Sequence, residues 1–110
     1  MYLAYRTCIE ACLHCTSMCN HCASSCLQEK DVDAMAQCIR LDMECAAICR
    51  TAADLMTMGS QHANAICQIC ADICQACAQE CEKHTKMDHC RQCATACHTC
   101  AEECLSMVAA

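Results

Sequence analysis

The chain has 110 residues, 19 of them Cys, with no Pro, Trp or Phe, one Gly, two Tyr and a formal net charge of −6. That length suits one compact domain over residues 1–110, and the acidity argues against a nucleic-acid partner, which needs a basic patch. Aromatics are too few for an ordinary aromatic-rich core, and no apolar run approaches the ~18–20 residues of a membrane span.

The N-terminus, Met1 to Arg6, has no basic region followed by an apolar stretch and reaches Cys8 and Glu10 almost at once. It does not read as a signal peptide, so the expected location is the cytoplasm, where thiols stay reduced. The first predicted helix runs from Leu3 to Gln28 and carries Cys8, Cys12, Cys15, Cys19, Cys22 and Cys26. Steps that alternate between four and three residues put all six on one stripe, the face a helix turns toward a bundle axis. Glu10, Ser17, Asn20 and Ser24 fall on the opposite face. A break at Lys30 and Asp31 follows, with Asp31 as N-cap.

The second predicted helix, Val32 to Met56, is the poorest in thiols, with Cys38, Cys45 and Cys49, and has Asp42 on the same stripe. Gly59 reads as its C′ residue and Ser60 as the next N-cap. The third helix, Gln61 to Lys83, carries Cys67, Cys70, Cys74, Cys77 and Cys81. His84, Thr85 and Lys86 form the next break, with Thr85 a candidate cap. The fourth helix, Met87 to Met107, carries Cys90, Cys93, Cys97, Cys100 and Cys104. Ala11, Ala71, Ala78, Ala94 and Ala101 flank the stripes and let helices approach closely. Short connections make successive helices antiparallel, so the predicted fold is all-α, an up-down-up-down four-helix bundle with a Cys-lined core.

Plain packing does not account for three unbroken Cys stripes, because Leu, Ile and Val pack better and do not oxidise. Disulfides fit poorly: the cysteine count is odd, and Cβ atoms four residues apart on a helix stand ~5–6 Å apart where a disulfide needs ~3.5–4.5 Å. Soft thiolates point to Cu(I), Zn(II) or iron–sulfur clusters. Cu⁺ replacing a thiol proton leaves a buried site neutral, whereas Zn²⁺ on four thiolates leaves two negative charges, and stacked sites of that kind repel. Iron–sulfur clusters need ligands converging on a compact cube. The expected cargo is therefore many Cu(I) ions, at about one per Cys. A thiol oxidoreductase would need one activated pair in an electropositive site, and these pairs are many and equivalent.

Repeated Cys-x-x-Cys and Cys-x-x-x-Cys on consecutive helices, as at Cys12 to Cys15, Cys67 to Cys70 and Cys97 to Cys100, resemble the bacterial copper storage proteins, specifically their cytosolic class. The resemblance spans the whole chain. It implies a four-helix bundle, Cu(I) along the lumen and a homotetramer. The expected function is storage without catalysis, with a copper chaperone or efflux partner to deliver or receive ions.

Extending the stripes distinguishes the two ends. Met1, Tyr5, Ala52, Met56, Ala63 and Met107 form an apolar plug at one end. Cys26, Met35, Cys38, Asp42, Cys81, His84 and Cys90 lie toward the other, with Met87 and His89 nearby. His84 is the imidazole expected to bind metal there, whereas His89, one place off the stripe, is expected at the surface or in a cap. Asp42 is expected to pair with a basic group such as Lys86, with weak ligation of copper as the alternative. His14, His21, His62 and His98 are expected to face outward.

Overall fold

Side chains spaced alternately by three and four residues stay on one side of a helix, and four such helices can bury those sides only against one another. The computed structural model, which describes residues 2–109, has this arrangement. Its helices are α1 (Tyr2–Cys26), α2 (Ala36–Thr57), α3 (Ala63–Cys81) and α4 (Asp88–Ala109). Short 3₁₀ turns at Asp33–Met35 and Glu82–His84 lead into α2 and out of α3. The α1 helix packs on α2 and α4, and α3 packs on the same two, so the helices form a square ring.

The register of the sulfurs gives the directions. From Cys8 to Cys22 along α1, partners on α4 descend from Cys104 to Cys90, so the two helices are antiparallel. Cys38, Cys45 and Cys49 on α2 likewise meet Cys81, Cys74 and Cys70 on α3. The bundle measures 45 × 19 × 18 Å, a length of roughly eight helical turns and only two helices across.

The breaks sit where expected, with small shifts. Gly59 has φ 67°, the left-handed conformation that costs a Cβ-bearing residue most. Its N–H reaches the Met56 carbonyl and the Ser60 N–H reaches the Leu55 carbonyl, closing the end of α2. The Ser60 hydroxyl accepts from the His62 N–H, so Ser60 does cap the next segment, although α3 begins at Ala63. Asp31 caps the 3₁₀ turn by accepting from the Ala34 N–H, which delays α2 to Ala36. Thr85 is a turn residue whose carbonyl accepts the Arg91 guanidinium, and Asp88 opens α4.

Where an ordinary bundle would have Leu and Phe, this core has Cys and Ala, with Met35 and Met56 at its two ends. Ile39, Leu41, Ile48, Ile66 and Ile73, partly buried, seal the seams between helices.

A candidate metal centre along the bundle axis

All 19 cysteines are free thiols, and each is buried. Pairs four residues apart stand 3.9 Å apart at Cys15–Cys19, Cys22–Cys26, Cys45–Cys49 and Cys70–Cys74, and 4.0 Å at Cys93–Cys97. Contacts between helices are as close or closer, from 3.5 Å for Cys45–Cys74 to 4.0 Å for Cys26–Cys38. These are sulfur contact distances, about twice the ~2.05 Å of a disulfide.

The thiols converge in groups of four whose sulfurs all lie within 4.8 Å of one another. One is Cys12, Cys70, Cys100 and Cys104, and the next is Cys15, Cys49, Cys74 and Cys100. Cys15, Cys19, Cys45 and Cys97 follow, then Cys19, Cys77, Cys93 and Cys97. Successive groups share members: Cys100 joins the first two, Cys15 the second and third, and Cys19 and Cys97 the last two. Sulfurs counted twice suit bridging ions in a continuous column, not separate four-ligand cages.

Hydrogen bonding with the Cys104 and Cys12 thiols brings the Cys100 thiol down to about 7. Near the mouth, burial pushes Cys90 up to about 12 and raises Cys26 as well, so these two hold their protons until something displaces them.

Asp42 has no basic partner among the described residues. It is fully buried, and its carboxyl accepts from the thiols of Cys77 at 3.2 Å, Cys93 at 3.4 Å, Cys81 at 3.8 Å and Cys38 at 3.9 Å. The expected pairing with Lys86 is therefore wrong, because Lys86 is exposed on the turn between α3 and α4. Burial, the largest cause, raises the carboxyl to about 11, so it is a neutral acid at pH 7.

The mouth also differs from expectation. His89, not His84, brings its ring to the thiols. Its Nδ1 lies 3.4 Å from Cys22 Sγ, 3.5 Å from Cys90 Sγ and 3.9 Å from Cys26 Sγ. Its Nε2 is 2.9 Å from a Glu29 carboxyl oxygen, which holds the ring with Nδ1 turned to the sulfurs. Cys22, Cys26, His89 and Cys90 make a fifth group of donors. His84 places its Nε2 3.2 Å from Glu80, which also holds Lys83. His14, His21, His62 and His98 are exposed as expected, and His98 pairs with Glu82.

At the other end Ala52, Met56 and Ala63 are buried, and Tyr5 and Met107 pack against the core. Met1, expected in the same plug, lies outside the described residues.

Compared with known proteins, residues 2–109 match the family described as copper storage protein, Csp. The chain belongs to the copper storage protein family. It is 53% identical over 83 residues to a Bacillus subtilis (strain 168) protein described as the uncharacterized cysteine-rich protein YhjQ, covering 76% of each chain. It is similar to the Cu(I)-bound copper storage protein BsCsp3, at 50% identity and a TM-score of 0.91, over 98% of this chain and 99% of that one. A cytosolic copper storage protein from Streptomyces lividans, in a structure with five coppers, aligns at 38% identity and a TM-score of 0.95, over 99% of this chain and 95% of that one.

For a copper storage protein, the stripe carries most of the sequence signal, and His89 lies off it. The first turn of α4 follows a tight turn, and there a residue beside Cys90 can still reach the lumen. No local pattern marks Glu29, which holds the ring from across the bundle mouth.

Proposed function

We propose that the protein stores Cu(I) at high capacity, about one ion per thiol, along the axis of its bundle. The observation that carries this is the sharing of sulfurs between successive four-thiol groups. Each arriving Cu⁺ displaces a thiol proton, so the column fills without gathering charge in an apolar interior. The ligands in this reading are Cys8, Cys12, Cys15, Cys19, Cys22, Cys26, Cys38, Cys45, Cys49, Cys67, Cys70, Cys74, Cys77, Cys81, Cys90, Cys93, Cys97, Cys100 and Cys104, with His89 at the mouth. His84, held on Glu80, stands outside that set.

Residues 1–110 act as one binding domain in this reading, and copper is bound without being turned over. A surface groove of ≈ 420 Å³ is lined by His14, Met18, Gln92, Thr95, Ala96 and Thr99. Among the described residues, no helix is long and apolar enough to cross a membrane. The Streptomyces lividans relative is described as cytosolic, which supports a cytoplasmic location. Assembly into a homotetramer, and exchange with a copper chaperone or efflux partner, complete the proposal.

The test is an anaerobic titration of reduced protein with Cu(I) against a competing chelator, with released protons counted alongside. The expected capacity is about one ion and one proton per thiol. A plateau at about four or five ions, with zinc bound as tightly, would mean separate tetrahedral sites and end the proposal.

A further inference from the structure

The closed end of the bundle holds a sulfur that no group of thiols accounts for. Going away from the mouth, α1 contributes Cys8 as its last thiol, α3 Cys67 and α4 Cys104. The last thiol of α2 is Cys49, and beyond it the stripe continues through Ala52 and Met56. Met56 is fully buried, and the Cys67 thiol donates to its Sδ at 3.7 Å. Cys67 has the Cys104 and Cys8 thiols as its other neighbours, and these stand 3.7 Å from each other. Each of the four helices thus places one sulfur in a terminal layer, three as thiols and one as a thioether.

We infer that Met56 is a Cu(I) ligand, closing a terminal site with the Cys67 thiolate and the sulfurs of Cys8 and Cys104. This rests on the storage reading above. Thioether sulfur selects Cu(I) as thiolate does. Four sulfurs each about 2.3 Å from one ion stand about 3.8 Å apart, close to the spacing already present. A thioether also adds a donor without adding charge. One thiolate with one Cu⁺ is neutral, and neutrality matters most at the end sealed from water. A purely steric plug would be served equally by Leu, which would leave Cys67 one donor short.

Selenomethionine-labelled protein, filled with Cu(I) and measured at the selenium edge by X-ray absorption, tests this without any substitution. A copper neighbour at bonding distance from selenium is expected. It is expected to vanish in labelled Met56→Leu and in Cys67→Ser, and to persist in Met58→Leu, since Met58 is exposed. Met56→Leu should also lose one copper equivalent in the chelator titration. A filled protein near one ion per thiol with no selenium–copper neighbour overturns the Met56 site and leaves storage intact. A neighbour that survives Met56→Leu but is lost in Met35→Leu overturns it too, by assigning the thioether to the mouth. Failure to take up copper at all overturns both readings. If Met56→Leu does not fold by circular dichroism, the labelled wild type and Cys67→Ser still decide.

Discussion

Asp42 is the one carboxyl group in a column of thiols, and its protonation is tied to folding. Its native pKa is about 11 against an ordinary 3.8, raised chiefly by burial. Between those values the folded chain holds a proton that the unfolded chain has lost. Stability from this site is therefore complete below the unfolded pKa and declines as pH rises toward the folded one. The decline is on the order of 1 kcal/mol per pH unit. Asp42→Asn, which cannot ionise, should gain on the wild type as pH rises. Urea unfolding of reduced, metal-free protein at pH 5 and pH 8 would show a larger advantage at pH 8, and equal differences at both would contradict the assignment. His89 makes the second prediction at this scale. His89→Phe should slow loading from a Cu(I) donor complex several-fold and lower final capacity by no more than one ion, whereas His84→Phe should leave both near wild type. Stopped-flow loading separates them. Neither residue's surroundings could be read from its sequence neighbours. The partners of Asp42 come from three helices, and the ring of His89 is set by Glu29, sixty residues earlier.

At the level of the helix the sequence was far more legible. The alternation of three and four residues located the buried face of every helix, because a helix returns to the same side at that interval wherever it sits. The ends of the helices were less legible. Residues 33–35 and 82–84 keep helical spacing but wind as 3₁₀ turns, a choice made by turn hydrogen bonds that side-chain pattern does not encode. The stripes also gave no hint of which sulfurs meet across helices, since that depends on axial stagger. The α2 helix is the uneven wall, with three thiols and, at Ala52, a fully buried position on the stripe. Ala52→Cys should raise Cu(I) capacity by about one ion, because it adds a thiol beside an existing column. An unchanged stoichiometry would mean that sulfur stagger, not sulfur number, limits filling. At Gly59 the positive φ predicts that Gly59→Ala costs about 1 kcal/mol in urea unfolding of the empty protein.

Taken whole, the molecule is a container whose walls are packed from its own Ala seams, buried thiols and closed helix ends. Packing of that kind needs no metal bond, so metal-free reduced protein should show strong helix by circular dichroism. A coil spectrum that turns helical only on adding copper would make the metal itself the core. The narrow cross-section, 19 × 18 Å for four helices, carries a further consequence. Cargo stacked in a shaft this slender, sealed behind Met56 and Tyr5, cannot overtake itself. It behaves as a stack, and the most recent arrivals leave first. Filling the protein halfway with light copper isotope, topping it up with heavy isotope and withdrawing ions with a chelator would reveal the order. The first fraction should be rich in the heavy isotope and the last in the light. Identical fractions would mean that ions hop along the sulfurs faster than they depart, so that the store keeps no memory of when its copper came.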